Sequence, residues 1–299
     1  MIRTLPSIEQ ALDHFGEGLT PLPPGGTDPY DASPVFILAS SWRAGSTALQ
    51  RLVLSSPEVI IWGEPYRDCN YVQGFADSLK ALVRLDPDSA EFSRARASEE
   101  LATEWVATMS PNFSSLKAAH AAFFQTLYAE PAAALGRSRW GIKEVRLDIG
   151  HARYLKLLFP LARFVFLHRD PFAAYRSYRI FPTWYSRWPH GPVLSAAQFG
   201  EHWSRLTAGF VDEAASVDGM VVAYENLQAA PTVLAAQLGR HLNLDLNPRV
   251  LEEAVTGRGP RSPAGSLPAV PLPEVVALAR ATGDVAAILG YAPPSRPVR

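Results

Sequence analysis

The chain of 299 residues is 47% apolar and 19% charged with a net charge of −1, a composition that suits a globular protein with a sizeable core. So even a balance excludes a global attraction to nucleic acid or to an anionic membrane surface, and any basic site must be local. A single cysteine, Cys69, excludes an internal disulfide and a cysteine-cluster metal site.

No run approaches the roughly 20 apolar residues needed to cross a bilayer, and the opening stretch from Met1 to Gln10 lacks the apolar centre of a signal peptide. A cytoplasmic protein is expected. Abundant Ala, Arg and Pro match a GC-rich bacterial genome.

In chain order, residues 1–33 read as a leader lying over a single domain of residues 34–299, because Pro21-Leu-Pro-Pro-Gly-Gly breaks any helical pattern after Phe15. Val35 to Ala39 is an apolar strand pattern that runs into a small-residue loop and then a helical pattern from Ser46. That layout makes an anion site. Gly45, Ser46 and Thr47 can present backbone N–H groups at a helix N-terminus, where the helix dipole favours a phosphate, and Arg43 adds a cation. The segment lacks both the Lys and the first Gly of the triphosphate loop G-x-x-x-x-G-K-[ST], so it is expected to hold a phosphate without being an ordinary kinase or ATPase loop.

A second strand pattern covers Val59 to Trp62, and a helical insertion over residues 71–135 is expected to cap one end of the sheet. Further strand patterns cover Trp140 to Val145, Phe164 to His168 and Met220 to Tyr224. Strands alternating with helices imply βαβ crossovers, hence a three-layer α/β fold of the P-loop type: a mainly parallel five-stranded sheet flanked by helices. Residues 180–194 carry too many prolines for a helix and too many aromatics for an indifferent loop, and read either as a loop pinned by its rings or as a lid over substrate. Thr256 to Gly265 is basic and rich in Gly and Pro, and a last helix runs from about Leu272 to Leu289.

Ligands of an open parallel sheet bind beyond the carboxyl ends of its strands. That rule brings Ser41 to Thr47, Gly63-Glu64-Pro65, Lys143 to Arg146, His168-Arg169-Asp170 and Tyr224-Glu225-Asn226 to one rim.

The pair Arg43-Ala44-Gly45-Ser46-Thr47 and Arg169-Asp-Pro-Phe-Ala-Ala-Tyr-Arg-Ser177 resembles the two nucleotide-binding motifs of sulfotransferases that use 3′-phosphoadenosine 5′-phosphosulfate (PAPS). The resemblance implies that the first motif wraps the 5′-phosphosulfate and that Arg169 and Ser177 meet the 3′-phosphate. Gly63-Glu64-Pro65 is similar to the segment that carries the catalytic Glu in tyrosylprotein and several bacterial sulfotransferases; Lys143 matches a strand-end Lys that contacts the leaving group, and Tyr224 a Tyr beside the adenine. A terminal Leu289-Gly-Tyr is also shared by many members. Trp42 stands where the family usually has Pro, Ala223 where it has Arg, and residues 71–135 show no match.

For activity, the resemblance implies an in-line, metal-free sulfuryl transfer from PAPS to a hydroxyl or amine of a small-molecule metabolite, leaving 3′-phosphoadenosine 5′-phosphate. Arg43, Lys143 and the loop amides then supply positive field, and Glu64 accepts the acceptor's proton. Tyr66 and Arg67 beside Glu64, with Trp184, Tyr185, Trp188 and His190 of the aromatic segment, are the expected acceptor contacts, His190 being a reserve base. Arg258 and Arg261 either close over the 3′-phosphate or belong to a solvated loop. Structural roles stay open for each: Glu64 as an ion-pair partner of Arg67, Lys143 as a partner of Glu144 or Asp148, Tyr224 as core. Two other functions fit the same sheet, a nucleotide-dependent kinase and a non-catalytic nucleotide-binding module.

Overall fold

Five short segments rich in β-branched and aromatic residues pair into one parallel sheet: β1 (Val35–Ala39), β2 (Val59–Gly63), β3 (Arg139–Glu144), β4 (Arg163–His168) and β5 (Gly219–Ala223), in spatial order β2-β3-β1-β4-β5. The computed structural model describes residues 6–19, 33–66, 69–84, 110–180, 193–253 and 267–294. Central β1 is buried at every residue, which is why it reads as a continuous apolar run instead of an alternating one. Strand ends fall about a residue from their expected places; Tyr224, expected to end the fifth strand, opens a helix instead.

The helices are α1 (Ile8–Glu17), α2 (Ser46–Leu54), α3 (Tyr71–Leu79), α4 (Phe113–Phe124), α5 (Glu130–Ala134), α6 (Ile149–Leu158), α7 (Pro171–Tyr178), α8 (Ala196–Glu213), α9 (Tyr224–Ala229), α10 (Pro231–Leu242) and α11 (Leu272–Ile288). Right-handed crossovers decide their sides. The β1–β2 connection runs one way along the sheet, whereas β3–β4 and β4–β5 run the other way, so α2 covers one face and α6 to α8 the opposite one. The chain leaves β1 toward β2 and leaves β4 toward β5. The carboxyl ends of β1 and β4 therefore diverge into a crevice, the switch point where such sheets bind ligands.

Part of the expected leader is a helix: a capping box between Ser7 and Gln10 starts α1, and its buried Phe15 stacks on Phe113 at 5.2 Å. The 71–135 insertion, expected at one end of the sheet, lies on a face in its described part. Tyr128, in the π turn between α4 and α5, stacks on Trp140 of β3 at 5.8 Å, and its carbonyl accepts the Trp62 indole N–H at 3.1 Å, reaching the end of β2. On the same face Phe166 stacks on Phe210 of α8 at 4.6 Å. Among the described residues no helix is long and apolar enough to cross a membrane.

Gly141 sits in β3 where no side chain fits, since a Cβ there would lie 1.9 Å from the Val35 carbonyl oxygen and 2.7 Å from Ile61. Gly141→Ala must push β1 from β3, and a loss of about 3 kcal/mol is expected in denaturant unfolding.

Candidate functional site

The loop after β1 is built by two left-handed residues and one large anchor. The Ser40 N–H donates to the Leu167 carbonyl at 2.9 Å, carrying the β1–β4 pairing one step further. Arg43 (φ 68°) and Gly45 (φ 89°) then turn the chain into α2. Trp42 accounts for its own bulk: it is buried and stacks on Tyr178 of α7 at 5.9 Å, tying the loop to the helix after β4. Gly45 caps α2 without a side-chain bond, and the first intrahelical bond runs from the Ala48 N–H to the Gly45 carbonyl at 2.9 Å. The amides of residues 45–47 thus precede the helical ladder and stand at the positive end of its dipole. Ala44 and Ser46 are buried and Thr47 is exposed.

The two segments Arg43 to Thr47 and Arg169 to Ser177 meet at this loop. The Arg43 Nε donates to the Ser177 Oγ at 2.8 Å, and the Arg169 Nη1 donates to the Arg43 carbonyl at 2.9 Å. The Arg169 guanidinium lies over the Tyr224 ring, 4.4 Å from its centre, and that ring packs so tightly on Gly45 that a Cβ there would fall 2.0 Å from its Cδ2. Burial, and then the nearby Arg169 charge, hold the Arg43 pKa below its ordinary value. Two guanidinium groups kept together at the ends of β1 and β4 repel, and a multiply charged anion relieves that repulsion. Asp170 takes the role its sequence suits: it caps α7, accepting from the Phe172 and Ala173 amides at 2.8 and 3.3 Å, with Pro171 as first helical residue.

The second half of the site is an ion pair at the ends of β2 and β3. Gly63 pairs with Lys143, and the Glu64 N–H extends the ladder by donating to the Lys143 carbonyl at 2.8 Å, so the two side chains meet and the Lys143 Nζ donates to the Glu64 Oε1. Lys143 is only 4% exposed, whereas the Glu64 side chain is 35% exposed. The surface alternatives for Lys143 are not realised. Glu144 instead forms a buried two-pronged pair with Arg146 at 2.8 and 2.9 Å, and Asp148 caps α6 and pairs with His151 and Arg205. Burial pushes the Glu144 carboxyl up while Arg146 opposes it.

Tyr66 (φ 57°) stands exposed on the rim two residues past Glu64 and meets the Tyr71 ring edge-on at 5.8 Å; Tyr71 in turn meets Phe123 at 5.2 Å. Arg67, Trp184, Tyr185, Trp188, His190, Arg258 and Arg261 lie outside the described residues. Among the described residues no group of three His, Cys, Asp or Glu could hold a metal. One contact had no counterpart among the sequence motifs: Trp203 of α8 donates its indole N–H to the Arg169 carbonyl at 2.9 Å, its only sequence signal being one more aromatic in a helical pattern.

Gly45→Ala places a methyl inside the Tyr224 ring and an L side chain at positive φ. A stability loss of at least about 1 kcal/mol is expected in thermal unfolding, and sulfate at millimolar concentration is expected to raise the unfolding temperature of the wild type and not that of the variant.

The sulfotransferase family model matches residues 34–248, which hold the sheet, both arginine turns and the Glu64–Lys143 pair. Among solved structures the chain is similar to the sulfotransferase domain of the Synechococcus PCC 7002 olefin synthase, at 15% identity and a TM-score of 0.49 over 90% of this chain and 98% of that one. It is also similar to a sulfotransferase from Alicyclobacillus acidocaldarius, at 13% identity and 0.43 over 87% and 97%. A third, from Mycobacterium avium, gives 14% and 0.43 over 97% and 83%. No curated protein matches the chain significantly. With the family model covering well over half of its residues, the chain belongs to the sulfotransferase family.

Proposed function

We propose that the protein transfers a sulfuryl group from PAPS to a hydroxyl or amine of a small molecule, with Glu64 as general base. The observation that carries this reading is the Lys143–Glu64 pair, set at strand ends beside a loop that gathers two arginines and a helix N-terminus.

The residues present fit the donor's two phosphate-bearing ends. Near the first, the amides of residues 45–47 and Arg43 suit a 5′-phosphosulfate; near the second, Arg169 and Ser177 suit a 3′-phosphate, and Tyr224, under the Arg169 guanidinium, is assigned to the adenine. When bound, the donor supplies an electrophilic sulfur and a phosphate leaving group. The Lys143 ammonium has three N–H donors, of which Glu64 takes one, and it stabilises negative charge on the departing oxygen. The Glu64 carboxylate, open to the rim, accepts the proton of the incoming hydroxyl or amine. Catalysis is then mostly positioning and field, as in phosphoryl transfer. The aromatic edge formed by Tyr66, Tyr71 and Phe123 beside Glu64 favours a flat or apolar acceptor.

Calorimetric titration should show 3′-phosphoadenosine 5′-phosphate binding tightly and ATP with Mg²⁺ weakly; tight binding of the triphosphate alone would sink the donor assignment. Arg169→Ala is expected to weaken the bisphosphate at least about tenfold more than 5′-AMP, the excess being the charge-assisted contact to the 3′-phosphate. Glu64→Gln should lower kcat by about 10²–10⁴ with the bisphosphate still bound, and unchanged turnover would remove Glu64 as base.

A further inference from the structure

Arg169 is held from behind by a polar cluster that none of the nucleotide motifs contains. His168 pairs with Ala223 at the end of the sheet, so the turn 168–170 lies against the start of α9. There the Glu225 Oε1 accepts the Asp170 N–H at 3.0 Å, and its Oε2 accepts the Tyr291 O–H at 2.9 Å. Tyr291 also meets the His168 Nδ1 at 3.0 Å. Tyr291 has one hydroxyl proton and gives it to the carboxylate, so the His168 Nδ1 carries the proton in that contact. Beside it the Trp203 indole, its ring 6.2 Å from that of Tyr291, donates to the Arg169 carbonyl. Every residue of the turn is thus tied to a side chain: His168 through its ring, Arg169 through its carbonyl, Asp170 through its amide.

The means by which Tyr291 arrives is written in Leu289-Gly290-Tyr291. After α11 the Gly290 φ of 76° closes the helix with the paired bonds of a Schellman turn, Tyr291 N–H to the Ala286 carbonyl at 2.8 Å and Gly290 N–H to the Ala287 carbonyl at 3.0 Å. The chain reverses, and the Tyr291 ring is delivered to the sheet edge. The helix that does so is itself fixed on α8, the helix of Trp203: Gly200 allows close approach to Ala281, and the Ser204 Oγ donates to the Ala281 carbonyl at 2.9 Å.

We infer that Tyr291 and Glu225 are positioning residues for donor recognition, forming with Trp203 a clasp that holds the 168–170 turn so that Arg169 faces its anion. This rests on the reading of Arg169 as the 3′-phosphate contact. Without the clasp the turn keeps its N-cap and its strand register but loses the bonds that orient the arginine. Two other groups face the cluster, the Arg169 guanidinium and the Asp170 carboxyl, and both belong to the turn being held.

The test is Tyr291→Phe, which keeps the ring against His168 and Trp203 and removes only the hydroxyl, with Glu225→Ala as a second variant that frees the Asp170 amide. Calorimetry on the full chain would compare 3′-phosphoadenosine 5′-phosphate with 5′-AMP. Expected is a Kd for the bisphosphate raised about tenfold in Tyr291→Phe and more in Glu225→Ala, with 5′-AMP within twofold; the donor KM rises likewise and kcat is kept. Equal loss for both ligands, or no loss for either, overturns the clasp. If the wild type binds both ligands equally, the 3′-phosphate assignment of Arg169 falls, and the clasp falls with it by a separately visible route.

Discussion

The bond from the Arg169 guanidinium to the Arg43 carbonyl is the joint on which the site depends, because it links the turns at the ends of the two diverging central strands. β1 and β4 are hydrogen-bonded along their length and part only at their carboxyl ends. Left alone, two such turns would move independently. Here the side chain of one satisfies the backbone of the other, Trp42 stacks on Tyr178, and Ser177 accepts from Arg43, so three contacts of different chemistry fasten the β1 loop to α7. An anion site split across a switch point needs such fastening if both halves are to grip one ligand.

That fastening has an electrostatic cost. Two guanidinium groups at one place, with the Arg43 pKa lowered by burial and by its neighbour, form an arrangement that stability alone would not favour. The Tyr224 face offsets part of it through its contact with Arg169. The remainder is what a ligand with several negative charges would remove. Left-handed Arg43 and Glu64 belong to the same pattern: non-glycine residues in sparsely allowed backbone regions at both halves of the site.

Much of the fold was legible in the sequence because parallel strands are buried on both faces and show as uninterrupted apolar runs between helical periods. The rim residues were legible from topology, since the residues just past each run must gather at one end. Three features were not. The ion pair of Lys143 with Glu64 depends on the β2–β3 register, and nothing local to either residue selects the other over Glu144, Asp148 or Arg67. Trp42 reads as a misfit in a tight loop, because its partner Tyr178 lies beyond another strand and a helix. α1 hid for a plainer reason: prolines after Phe15 mark a break, and the capping box that starts the helix before it is a short signal.

The Lys143–Glu64 pair is unequally exposed, and its usefulness depends on that. A fully buried pair would be inert, since neither partner could meet a substrate; a fully exposed one would be worth little and poorly held. Lys143 is closed in at the end of β3. Glu64, at positive φ, leaves the strand two residues before Tyr66, whose ring meets that of Tyr71. The proposed function uses both partners of the pair, the ammonium for an anion and the carboxylate for an acceptor. Under the proposed function one ion pair then serves both the proton and the leaving charge, the two demands of an in-line displacement.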